Sequence, residues 1–179
     1  MTTNQNETSH QQEPHVWRMV STPDAQDICE RIIGVTFPVE HQILIISYEG
    51  IHVVDLDGSW HVHDDDKYPE GGDIYDWKNQ TVTYDGKQFQ VLGVHGGRPS
   101  LRNAYDERLV FIHNKQRLPG QMSFRQQFQV QGKQGEVLLE YEFEDLSGDW
   151  MQVSFSPDST SIVLATPYHF SIFQRAEEK

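Results

Sequence analysis

Between Trp150 and Phe173 the chain reads WMQVSFSPDSTSIVLATPYHFSIF, and the apolar residues recur with a period of two. Met151, Val153 and Phe155 alternate with Gln152 and Ser154, Ser-Pro-Asp-Ser-Thr breaks the run, and Ile162 to Ala165 resumes it. After a second break at Thr166-Pro167, Phe170 and Ile172 flank Ser171. Side chains alternate across a strand, whereas a helix returns to one face every three to four residues, so this stretch is a β-meander. Pro157 brings a fixed φ suited to a turn and no N–H for a ladder, and the Asp158 carboxylate can accept hydrogen bonds from the turn amides.

The same grammar runs through the rest of the chain. His15 to Val20 alternates as a short strand, placed to complete the sheet of the C-terminal meander. Pro23 to Glu30 is the one candidate helix, a single turn capped by Thr22 or Asp24. Ile32 to Phe37, Ile43 to Tyr48, Ile51 to Leu56 and Ser59 to His63 form a four-stranded unit, joined at Glu49-Gly50 and Asp57-Gly58. Thr81 to Tyr84 and Gln88 to Val94 form a hairpin about Asp85-Gly86, a dipeptide suited to the positive φ of a type I′ turn. Leu109 to Ile112 and Gln121 to Gln131 follow as strands. From Glu136 to Glu144 the chain is expected to set Glu136, Glu140, Glu142 and Glu144 on one face of a strand and Val137, Leu139, Tyr141 and Phe143 on the other. Short strands separated by turns predict an all-β protein of antiparallel four-stranded meanders, small and β-propeller-like, with a β-sandwich as the alternative.

Val153-Ser-Phe155-Ser-Pro-Asp158, with Ile162, Ala165 and Phe170-Ser-Ile172-Phe173, resembles the inner strands of a WD-repeat β-propeller blade. The resemblance covers about one blade. It rests on the apolar and turn skeleton, since the upstream Gly-His pair is absent and Phe173-Gln174 stands in the place of Trp-Asp. Ile32 to Gln42 repeats the pattern, with Val35-Thr-Phe37 over Val153-Ser-Phe155, and Phe37 and Phe155 are 118 positions apart. That interval is roughly three blade lengths. The resemblance implies a propeller-type scaffold that closes within one chain or is completed by another copy or chain.

The 179 residues suffice for one domain with its own hydrophobic core, expected over residues 15–175 after a disordered polar tail at 1–14. That tail has neither the basic nor the apolar region of a signal peptide, and no apolar run is long enough to span a bilayer. Cys29 is the single cysteine, so no disulfide can form within the chain, and a reducing, cytoplasmic location is expected. The net charge of −13 argues against nucleic acid as a partner, because phosphate contacts supply most of that affinity. Residues 40–85 hold eleven acids against two bases, 86–133 two acids against eight bases, and 134–158 seven acids against none. The basic section includes Arg98, Arg102, Arg108, Lys115 and Arg117.

His61 and His63, two apart on a strand, project to one face and are the best candidates for a metal site, with Asp64 to Asp66 beside them. A third ligand at a suitable distance is missing, so the pair reads better as exposed histidines and no metal or cofactor is expected. Asp55, Asp57 and Asp64 to Asp66 lack the alternating ligands and closing glutamate of an EF-hand. Gly93-Val-His95-Gly96-Gly97 lacks the Lys-Ser/Thr of a phosphate loop, and its glycines fit a sharp turn or a close approach to another backbone. No Gly-x-Ser-x-Gly elbow is present.

The expected function is therefore a non-catalytic protein-interaction or scaffold module whose partner presents a basic surface. Trp60, Asp64, Asp65, Asp66, Tyr68 and Trp77, aromatics set among acids, are the expected partner-binding residues. Two alternatives stand beside it: an acidic inhibitor or immunity-type protein covering a basic site, and a small metal-dependent enzyme using His61 and His63.

Overall fold

The structure, a computed structural model, describes residues 16–57, 59–62, 75–76, 78–93, 99–112, 124–146 and 148–176. It is all-β and antiparallel, as the alternation predicts. In chain order the elements are β1 (Trp17–Met19), α1 (Ala25–Ile28), β2 (Ile32–Thr36), β3 (Gln42–Ser47), β4 (Gly50–Asp55), β5 (Trp60–Val62), β6 (Tyr75–Asp76) and β7 (Thr81–Tyr84). There follow β8 (Lys87–Gly93), β9 (Arg108–Ile112), β10 (Phe124–Gln131), β11 (Val137–Asp145), β12 (Gln152–Phe155), β13 (Ser161–Ala165) and β14 (Phe170–Arg175). Among the described residues no helix is long and apolar enough to cross a membrane.

The strands form three sheets: a seven-stranded one ordered β5-β4-β3-β2-β8-β7-β6, a three-stranded one ordered β11-β10-β9, and a four-stranded one ordered β1-β14-β13-β12. The four-stranded sheet is the middle layer. Val163, Ala165, Phe170 and Ile172 pack against Val35, Phe37, Ile43, Ile45, Val54 and Leu92 of the seven-stranded sheet. On its other face Val153, Phe155, Ile162, Leu164 and Phe173 meet Leu109, Phe128, Val130 and Phe143 of the three-stranded sheet. A strand covered on both faces has no polar side, which explains the unbroken apolar run Ile162-Val-Leu-Ala165.

The N-terminal strand completes this layer as expected: Trp17 lies opposite Arg175, and Met19 opposite Phe173. The four-stranded unit β2–β5 is also present, but β2 is not its edge. Gly34, Val35 and Thr36 pair with Gly93, Leu92 and Val91, so two meanders fuse into one seven-stranded sheet. The junction needs glycine: a Cβ on Gly93 would lie 2.1 Å from the Ile33 carbonyl oxygen and 2.7 Å from Gly34 Cα. Leu44, Ile46, Ile51, Val53, Val82, Tyr84, Phe89 and Val91 cluster on one face of that sheet, which curls as a half-barrel around them.

The turns follow their chemistry. Asp85 and Gly86 both have positive φ, 47° and 76°, as a type I′ hairpin requires. Asp158 accepts from Ser156 Oγ, Thr160 N and Thr160 Oγ1 at 2.5, 3.1 and 2.8 Å. The helix differs from expectation: Asp24 occupies the N-cap position but its side chain makes no capping hydrogen bond, and α1 is held by burial of Ala25 and Ile28.

Candidate interaction surface

The three-stranded sheet turns one face to the core and the other to solvent. Hairpin β10–β11 pairs from Phe124↔Asp145 to Gln131↔Val137, and β9 pairs with the other side of β10. Phe128 and Val130 of β10, with Phe143 of β11, point inward. The opposite parity of β11 places Glu140, Glu142 and Glu144 in one exposed stripe. Beside it run Arg125, Gln127, Gln129 and Gln131 of β10, directly across from Glu144, Glu142, Glu140 and Val137. Gln129 Nε2 donates to Glu140 Oε2 at 2.5 Å, and Arg125 Nε lies 3.1 Å from Glu142 Oε1. Arg108 of β9 reaches Gln131 Oε1 with two donors, at 3.2 and 2.9 Å.

Glu136 does not belong to the stripe, and Val137 lies on the wet face across from Gln131, both contrary to the simple alternation. Val130 pairs with Leu139 but Gln131 with Val137, so an extra residue sits in β11 and the period is broken. Glu136 falls in the hairpin, where its carboxylate accepts from Gln134 N at 2.9 Å.

Of the residues expected to bind a partner, Trp60 begins β5, the outer strand of the seven-stranded sheet, opposite Val54. Asp64, Asp65, Asp66, Tyr68 and Trp77 lie outside the described residues, as do His63, Arg98, Lys115 and Arg117. His61 is exposed on β5. Among the described residues no three His, Cys, Asp or Glu side chains converge as metal ligands. Asp57 is occupied by its turn: the backbone and then the side chain of Ser59 donate to it and hold its carboxyl below the usual range.

Three buried polar clusters were not legible in the chain, because each joins residues remote in sequence or hidden in apolar runs. In the first, Ser47 Oγ lies 2.9 Å from His52 Nε2, with the Cys29 thiol close to Ser47. Burial, reinforced by the Glu49 charge, pushes the thiol pKa to about 11, so Cys29 is a protonated core residue and no nucleophile. In the second, Ser171 Oγ is 2.9 Å from both His169 Nε2 and Tyr141 Oη. Ser171 is fully buried, and a hydroxyl that no substrate can approach does not serve a hydrolase. In the third, buried Glu107 accepts from Trp17 Nε1 at 3.2 Å, from Asn103 Nδ2 at 2.6 Å, and from Arg175. Arg175 lies over the rings of Trp17 and Tyr105, 5.5 and 3.9 Å from their centroids.

No protein-family model, no characterised protein and no solved structure matches the chain. Its chemistry therefore has to be read from its own surfaces. Of these, the wet face of β9–β11 combines a repeated charge with a regular backbone.

Proposed function

We propose that this protein is a non-catalytic interaction module of propeller-like construction that recognises the basic surface of a protein partner. The observation that carries the reading is the Glu140, Glu142, Glu144 stripe, three carboxylates on one exposed face of a regular strand. Each is engaged within the protein, and exposed pairs of this kind contribute little to stability, about 0.2–1 kcal/mol each. Their arrangement suits partner selection, since complementary fields steer association and exclude like-charged competitors. An acidic inhibitor covering a basic site would use the same chemistry. The propeller reading is supported by a four-stranded sheet stacked between two others and begun by the N-terminal strand. Its departure from a simple array of blades is the fused seven-stranded sheet. With its single buried thiol, the chain suits a reducing cytoplasm.

The test is affinity capture from source-cell extract by the wild-type protein and by the variant Glu140→Gln, Glu142→Gln, Glu144→Gln. Proteins retained by the first and lost by the second should be basic, and their retention should weaken as salt rises and the Debye length shortens to about 8 Å. Identical capture by both proteins, or preferential capture of duplex DNA, would remove the proposal.

A further inference from the structure

We infer that the partner is bound by strand addition along β11, as an extended segment with lysine or arginine at every second position. This rests on the interaction-module reading and specifies its site. β11 runs nine residues from Val137 to Asp145 and lies at the margin of its sheet. Along an antiparallel strand, alternate peptide groups point to opposite sides, so β10 can satisfy one set. Among the described residues no strand pairs with the other side, so from Val137 to Phe143 the outward N–H and C=O groups of β11 form a row along its edge. Such a row is a template for another strand. At the two ends of β11, Val137 and Leu146 are 53% and 45% exposed, apolar ground on which an added strand can rest.

The side chains select what can be added. A residue on the new strand stands about 4.5–5.5 Å from its opposite number on β11. On the wet face those opposite numbers are Glu140, Glu142 and Glu144. A second copy of β11 laid antiparallel would bring glutamates against glutamates, so the stripe guards the edge against self-association. Lysine or arginine at alternate positions turns the same geometry into attraction. The intervening residues of the added strand would face inward, beside the half-buried Leu139 and Tyr141.

The probe is a nine-residue peptide of alternating lysine and threonine, as long as β11. It is used in three forms: unmodified, N-methylated at every lysine, and N-methylated at every threonine. Charge and composition at the side chains are the same in all three, but each modification removes the donors on one side of the added strand. Binding is read by fluorescence anisotropy, and the site by amide shift changes. Strand addition requires that one methylated peptide bind about tenfold or more weakly than the parent while the other is spared. It also requires that the shifts centre on 137–145. Loss of binding by both methylated forms or by neither, or shifts centred elsewhere, would overturn strand addition and leave charge recognition standing. A parent peptide that fails to bind, or binds the Glu140→Gln, Glu142→Gln, Glu144→Gln variant equally well, would overturn the acidic-surface reading itself.

Discussion

His169 sits where two sheets meet, its ring stacked on Phe143 at 5.6 Å and on Tyr141 at 6.4 Å between centroids. Burial lowers its pKa, and the nearby charges of Asp24 and Asp145 only partly oppose that effect. A lowered pKa means that the fold prefers the neutral ring. The resulting stability is complete above the ordinary value of about 6.5 and is lost as pH falls through it towards the folded value. The variant His169→Phe keeps a planar ring without the titration. Between pH 7 and 5 the wild type should lose stability faster than the variant in urea denaturation, with the carboxylates common to both cancelling. Equal slopes would show that this ring does not couple protonation to folding.

At the scale of elements, the junction of β2 with β8 depends on the absence of a side chain. Gly34 and Gly93 lie opposite each other, and a Cβ at Gly93 would collide with backbone atoms, which cannot swing aside as a side chain can. Gly93→Ala should therefore cost about 1–3 kcal/mol, the usual penalty of overpacking, seen as a lower urea midpoint. Gly86→Ala is the control: it has open space around it and should show only the smaller strain of its positive φ. Equal losses at the two positions would mean that close approach is not what Gly93 provides. The Gly93 region could be recognised in the sequence as a point of close backbone contact. Its partner could not, since nothing local relates residue 34 to residue 93.

For the molecule as a whole, the central layer holds the two described ends of the chain together. β1 hydrogen-bonds to β14, Ala176 N reaches Val16 O at 2.8 Å, and Trp17 is 2% exposed with its ring 5.8 Å from Phe155. Glu107 and Arg175 close over Trp17 with little access to water. Burying charge is tolerable here because each ion is paired and Glu107 has further donors in Trp17 and Asn103. Deleting the chain through Val20 should remove the tryptophan, strip one donor from Glu107 and bare the edge of β14. The truncated protein should melt at lower temperature and aggregate, measured by calorimetry and light scattering. A monomeric truncation with the wild-type melting temperature would show that β1 is dispensable.

The strands, the tight turns and the two-faced character of β11 are properties of a few consecutive residues, set by side-chain alternation, the positive φ of Asp85-Gly86 and the hydrogen bonds of Asp158. All of these act over short range, so an antiparallel all-β protein with an acidic stripe follows from local order along the chain. Which sheets stack, the fusion at Gly34 and Gly93, the pairing of Glu107 with Arg175 and the bulge that removes Glu136 from the stripe were decided by tertiary structure. Their physical reason is common: stacking, fusion and the buried pair join groups tens of residues apart, and a one-residue bulge depends on how β10 and β11 align. Each is stabilised by burial and hydrogen bonding that exist after the layers have met.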